Sequence, residues 1–200
     1  MTNNIEIPFS QACENNKDPI LTIFKELKLS GDVLEIGHGT GQHALHFASN
    51  LNVTWQPADL KANNWMIDQR ELPANILNTK TLEIQPSLTI KDQIGPQEYD
   101  FVFTANTLHI MSEEFALKLC AEVHEVCKSG GSLLIYGPFK FNGEFTSESN
   151  GRFDHHLKSQ RASMGIRNFE DISETLSKHF THKTTIDMPA NNHILVFEKL

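Results

Sequence analysis

The tightest constraint on this chain is one stretch, Val33-Leu34-Glu35-Ile36-Gly37-His38-Gly39-Thr40-Gly41-Gln42-His43. Val33 to Ile36 is a short apolar run with a single acid, which predicts a buried strand. Gly37, Gly39 and Gly41 then recur at every second position. Residues without a Cβ let the backbone turn sharply and approach a ligand closely. Ala44, Leu45, Phe47, Ala48 and Leu51 follow at the spacing of one helix face. Strand, glycine turn and helix together build a nucleotide or nucleoside site at the carboxyl edge of a parallel sheet. The expected fold is therefore a doubly wound, Rossmann-like α/β sheet.

Two details narrow the ligand. The nicotinamide fingerprint needs G-x-G-x-x-G, and its last glycine is replaced here by Gln42. The spacing is instead E-x-G-x-G-x-G, with Glu35 at the strand end. An acid beside the loop repels a pyrophosphate but suits an ammonium and a sulfonium, the two cations of S-adenosylmethionine (SAM). Asp59, at the end of the expected second strand Val53–Ala58, offers a carboxylate to ribose hydroxyls. Gly37, His38, Gly39, Thr40, Gly41 and Asn106 complete the expected cofactor contacts.

The glycine stretch resembles motif I of the class I SAM-dependent methyltransferases. More of the chain is similar to one branch, the methyltransferase-like protein 26 family. The matching pieces are Cys13–Leu21, the glycine loop, Trp55–Asp59, Tyr136–Phe139, Phe145–Asn150, Gly165–Arg167 and Met188–Asn192, which span nearly the whole sequence. His38 departs from the small residue common at that place, and its side chain either crowds the loop or points to solvent. The resemblance implies a seven-stranded, mostly parallel sheet with an antiparallel last strand, and SAM as cofactor. It carries no acceptor.

Taken in order, residues 1–17 read as an N-terminal arm folding over the ligand. Its Asn15, Asn16 and Lys17 are either polar contacts or a solvated helix lead-in. Asp18-Pro19 predicts a helix start, with Ile20, Ile23, Phe24 and Leu27 as its apolar face. A helix is expected over Leu60–Leu72, with Trp65 either beside the adenine or in the core. Thr81–Ile84 reads as a third strand, and Glu83 to Pro86 are adenine contacts by position. Tyr99–Asn106 is the expected fourth strand, delivering Asn106, Thr107 and His109 to the ligand edge. Ser112-Glu113-Glu114 caps a helix that Gly130-Gly131 closes before strand Ser132–Tyr136. Residues 137–165 show no periodicity and read as an acceptor-side lid. Asn168 is the expected N-cap of a last helix with Ile172, Leu176 and Phe180 inward, followed by a hairpin of Thr184–Met188 and His193–Glu198.

Methyl transfer needs an acceptor held in line with the transferred carbon and, for some acceptors, a proton acceptor. His109 is the first candidate base and Tyr136 the second catalytic candidate, followed by Asp154 and His155. His43/His46 and His155-His156 lack zinc-site spacing, so no metal is expected. No G-x-S-x-G elbow is present, which disfavours a nucleophilic hydrolase. A formal net charge of -8 disfavours a partner gripped by its phosphates. The three cysteines, Cys13, Cys120 and Cys127, form no paired framework and suit a reducing compartment. With a polar N-terminus and no bilayer-length apolar run, the cytoplasm is expected. The expected activity is methyl transfer to a small molecule. The alternatives are a non-catalytic SAM-binding or protein-interaction module and a methyltransferase acting on a protein.

Overall fold

The computed structural model describes residues 6–200. Helix α1 (Gln11–Glu26) opens on Ser10, whose extended backbone and hydroxyl cap the first turn by accepting from Cys13 N at 3.2 Å. The helix thus starts well before Asp18-Pro19, and Pro19 lies inside it. A good cap and the buried face of Ile20, Leu21 and Phe24 offset the hydrogen bond that the proline removes. Of the expected arm, residues 1–5 lie outside the described residues, and 11–17 are helical rather than extended.

The order continues with β1 (Gly31–Ile36), α2 (Gln42–Asn50), β2 (Val53–Asp59), α3 (Lys61–Asp68), β3 (Lys80–Thr81), α4 (Ile90–Ile94) and β4 (Tyr99–Ala105). It then runs through α5 (Glu113–Glu122), β5 (Cys127–Gly137), β6 (Phe139–Phe141), β7 (Glu144–Phe145) and α6 (Glu148–Gln160). The last elements are β8 (Arg167–Asn168), α7 (Phe169–Leu176), β9 (Phe180–Met188) and β10 (Asn192–Lys199). Seven strands form one sheet in the order β3-β2-β1-β4-β5-β10-β9. β1 is parallel to β2 and β4, and β4 is parallel to β5. β10 is antiparallel to both β5 and β9, so the final strand alone is reversed. This is the expected class I methyltransferase fold. The strand order turns back between β1 and β4, which opens a crevice at their carboxyl ends.

Alternate strand residues face opposite layers. Leu34, Ile36, Val102, Leu133 and Leu195 pack with Leu119 of α5 and Ile172 and Leu176 of α7. Val33, Trp55, Phe103 and Ile194 pack with Ile20 and Phe24 of α1 and Phe47 of α2. Phe24 meets the edges of Phe47 and Phe103 at 4.9 and 5.0 Å, and truncating such a buried ring costs about 3–5 kcal/mol.

Several expected boundaries move. β3 is shorter than Thr81–Ile84 and α3 stops at Asp68. Gly130-Gly131 lies within β5 instead of closing a helix: a Cβ on Gly131 would stand 2.8 Å from Asp100 O, so the glycine permits a close strand contact. Asn168 stands at the N-cap of α7 as expected, with extended backbone, but its side chain makes no capping bond because its Oδ1 accepts from Gly143 N at 3.0 Å in the β6–β7 turn. Phe180 begins β9 rather than ending the helix. Residues 137–165 are largely ordered as β6, β7 and α6. α6 carries no apolar periodicity because its inward positions include the polar Asn150 and Asp154 beside Leu157. No helix among the described residues is long and apolar enough to cross a membrane.

Candidate functional site

The carboxyl ends of β1, β2 and β4 open into a cavity of about 1050 Å³. That is the upper end of the roughly 300–1,000 Å³ range of small-molecule and cofactor sites. The glycine loop forms its floor. Gly37 N donates to Ala58 O at 2.8 Å, and the Thr104 hydroxyl donates to Ile36 O at 2.8 Å, which ties the loop to both neighbouring strands. Gly37 has φ +80°, and a Cβ there would stand 2.6 Å from Thr107 Oγ1. Gly41 has φ +73° at the mouth of α2, where a Cβ would stand 2.9 Å from Ile67 Cγ1. Gly41 itself does not line the cavity; Gly37, His38, Gly39 and Thr40 do.

Asp59 is buried at the cavity edge. Its Oδ2 accepts from Gly39 N at 2.7 Å, and its Oδ1 accepts from Leu60 N at 2.7 Å and Asn63 Nδ2 at 2.8 Å. The carboxylate therefore holds the loop from across the crevice, with acceptor capacity left on the pair of oxygens. His38 points neither to solvent nor free into the loop. It is buried, with Nδ1 3.0 Å from Gly39 O and Nε2 3.3 Å from Asn64 Oδ1, and so links the loop to α3.

Glu35 is not on the cavity wall. Strand alternation puts it on the same face as Val33, where its Oε2 accepts from Trp55 Nε1 at 2.8 Å. Burial pushes its carboxyl up to about 8, with the Asp59 charge adding to this and the Trp55 bond opposing it. Gln42, the residue that breaks the nicotinamide pattern, clamps the start of α1: its Oε1 accepts from Ser10 N at 2.7 Å and its Nε2 donates to Ser10 O at 3.3 Å. His43 Nε2 lies 2.6 Å from Asn16 Oδ1, and burial lowers the ring to about 4. These two contacts fold the first turns of α1 over the cavity, so Asn15 and Asn16 line it while Lys17 pairs with Glu14.

On the other side, Asn106 leaves β4 at φ +58°, a left-handed conformation that Asn tolerates, and its N donates to Tyr136 O at 2.9 Å. His109 follows, buried, with its ring edge-on to Phe153 at 5.3 Å. Burial, helped by the Arg167 charge, lowers His109 to about 4. Arg167 holds this segment. Its Nε donates to Leu108 O at 3.0 Å, and its guanidinium also reaches the carbonyls of Met111 and Ser163. Tyr136 lines the cavity from β5; burial raises its phenol, against an opposing hydrogen bond from Asn16. Ala190, at φ +60°, joins Asn150 and Asn192 on the same wall, and Asn150 Nδ2 holds the strained turn by donating to Asn191 O at 3.0 Å.

The cavity thus gathers eight of the ten expected catalytic and cofactor residues and leaves out Glu35 and Gly41. Among the further candidates, Glu83 and Ile84 line it, whereas Trp65, Gln85 and Pro86 do not. Asp154 is spent on Ile166 N at 2.8 Å and on Lys158 at 2.6 Å, and His155 is exposed elsewhere. No cluster of three metal-ligating side chains occurs among the described residues. The sequence reading missed Ser10, Gln42, Arg161 and Ser163. Of these, only Gln42 carried a signal, as the odd residue beside the glycines.

The fold is similar to that of human N-acetylserotonin methyltransferase solved in complex with SAM, at 17% identity and a TM-score of 0.76 over 94% of this chain and 53% of that one. It is also similar to the mitomycin 7-O-methyltransferase MmcR, at 12% identity and a TM-score of 0.77 over 94% of this chain and 54% of that one. An O-methyltransferase family 2 protein from Planctomyces limnophilus, in complex with apigenin, matches at 13% identity and a TM-score of 0.73 over 94% of this chain and 60% of that one. The chain therefore spans little more than half the length of the structures it matches, and the likeness is one of fold. The cavity residues, from Ser10 on the rim of α1 to Asn192 at the head of β10, all fall within residues 7–199, which match the model of a family of unknown function, DUF938, and the chain belongs to that family.

Proposed function

We propose that this protein is a SAM-dependent methyltransferase acting on a small-molecule acceptor. The observation that carries the reading is the cavity itself: the glycine loop at the sheet's switch point lines it, and the same space reaches residues of α1, of the segment after β4, of α6 and of the turn before β10. A shallow surface with an apolar rim would instead have favoured a non-catalytic interaction module. The fold similarity to methyltransferases and the sequence resemblance to the methyltransferase-like protein 26 family support the same reading.

The residues present fit the cofactor. Gly39 leaves open space above the loop, where a Cβ would meet no atom within 4 Å, so a ligand can approach the backbone. Asp59 faces this end and would accept from ribose hydroxyls with its remaining lone pairs. Leu60, Leu82 and Ile84 supply apolar walls for the base, and Asn106 a polar contact. SAM, when bound, supplies an electrophilic methyl carbon. Glu35 adds negative charge one layer below the loop if a bound cation draws off its proton.

The protein's own part is positioning and water exclusion. α1 closes the cavity through the Gln42 and His43 clamps. His109, held by Arg167, has an imidazole that stays neutral above about pH 4 and is free to accept a proton. A conjugate acid that strong makes a weak base, which suits an acceptor whose own proton is acidic. Tyr136 and Asn16 orient the acceptor by hydrogen bonds. Residues 6–200 act as one catalytic unit in this reading, with α6 as the acceptor-side wall.

Calorimetric titration with SAM, S-adenosylhomocysteine and NADH tests the reading. Binding of the first two and silence from NADH is the expected result. Binding of NADH alone, or of none, would overturn it.

A further inference from the structure

The cavity is chemically one-sided. The cavity's two acids, Asp59 and Glu83, both belong to the β2–β3 end. The rest of the wall, from α1, the segment after β4, α6 and the turn before β10, has no carboxylate, in a chain whose 25 acids outnumber its 17 cations. Its polar lining is built largely from amides and hydroxyls, including Asn16, Asn150, Asn192 and Ser163, with the His109 imidazole kept uncharged by burial. It has a single permanent charge, Arg161, just beyond the end of α6. Nearby cations are otherwise engaged. Arg152 pairs with Glu148, Lys158 pairs with Asp154, and Arg167 is bonded to carbonyls. Among the described residues, the Arg161 side chain has no such partner. Arg161 does not share the acids' side of the cavity: Asp59 ends β2 and Glu83 follows β3, whereas Gly165 N donates to His109 O at 3.0 Å and Arg167 bonds the carbonyls of both Met111 and Ser163, which seats residues 161–165 against the segment after β4.

We propose that the acceptor is a small, monoanionic acid: a molecule whose carboxylate is held by Arg161 at the cavity edge while its ring or chain lies against Phe153 and Tyr136. A single guanidinium suits one carboxylate through a planar, two-point contact. It leaves a more highly charged phosphate under-neutralised. A protonated amine would meet the one cation and find no acid. This inference rests on the methyltransferase reading and adds its substrate class.

The test uses protein first saturated with S-adenosylhomocysteine, then titrated with three matched probes: 4-hydroxybenzoate, 4-hydroxybenzamide and 4-hydroxybenzylamine. The benzoate should bind tightest. Arg161 is exposed at the cavity edge, so Arg161→Gln should weaken benzoate by about threefold to tenfold, between an exposed ion pair and one charge-assisted bond. The same variant should leave the benzamide and S-adenosylhomocysteine unchanged, which separates a specificity role from a structural one. Equal or tighter binding of the amine or the amide, indifference of benzoate to Arg161→Gln, or binding of none of the three would overturn the proposal. Failure of S-adenosylhomocysteine itself to bind would overturn instead the reading on which it rests, and that shows in the first titration.

Discussion

Alanine at position 37 tests whether the glycine loop is shaped by its neighbours or only by its own backbone. Gly37 and Gly39 both have positive φ, +80° and +54°. An L-residue forced into that region costs about 1–2 kcal/mol. At 39 nothing else is added, because a Cβ would meet no atom within 4 Å. At 37 the new methyl would lie 2.6 Å from Thr107 Oγ1 and 3.1 Å from its Cγ2. Such overpacking adds about 1–3 kcal/mol. Gly37→Ala should therefore lose about 2–5 kcal/mol and Gly39→Ala about 1–2 kcal/mol. The excess is recoverable. Thr107→Ala removes both clashing atoms and leaves only its Cβ, at 3.4 Å. By itself it costs about 1 kcal/mol for the lost hydroxyl bond to Ala105 O. The double variant should be more stable than the sum of the two singles by about 1–3 kcal/mol. Urea unfolding at constant m measures all four proteins. Equal losses at 37 and 39, or plain additivity in the double variant, would refute the steric argument.

Other consequences are open to measurement. Glu35 has its carboxyl pushed up to about 8, far above a free carboxyl near 4.5. The native state thus keeps a proton that the unfolded chain has lost, so stability should fall as pH rises from about 4.5 to about 8 and then level off. Glu35→Gln should flatten that slope in urea titrations at pH 5, 6.5 and 8; an unchanged slope would place its origin elsewhere. Gln42→Ala removes both bonds to Ser10 and should cost about 1–2 kcal/mol. It should also speed amide exchange in residues 11–16, and unaltered exchange there would mean that the clamp does not hold α1. Asp59→Asn keeps the shape but reverses part of the hydrogen bonding, because an amide nitrogen cannot accept from Gly39 N or Asn63. SAM affinity should drop about tenfold or more. Unchanged affinity would remove Asp59 from the site.

The sequence was informative where local chemistry repeats with the period of its element. Val33–Ile36, the glycines and the Ala44–Phe47–Ala48 face announced β1, the turn and α2 in order, and the apolar run from Tyr99 announced β4. It was silent or misleading where a residue answers to a distant partner. Pro19 read as a helix start, yet Ser10 caps that helix and Gln42 fastens it from across the crevice. Asn168 does stand at the N-cap of α7, yet Gly143 claims its side chain. α6 was invisible because its inner face carries Asn150 and Asp154, whose buried polarity is satisfied only once the Asn191 turn and Ile166 are beside them.

The same division holds for the candidate site. From the sequence alone come the α/β class, the switch-point loop and the residue types that suit a sulfonium cofactor, because alternation, glycine spacing and strand ends are local properties of the chain. Only the tertiary structure could decide that Glu35 turns inward to Trp55 while Asp59 faces the cavity, that burial holds His109 uncharged, and that Arg161 lines the cavity with no ion-pair partner among the described residues. Burial, desolvation and charge pairing are properties of a residue's surroundings. Those surroundings are assembled from segments far apart along the chain.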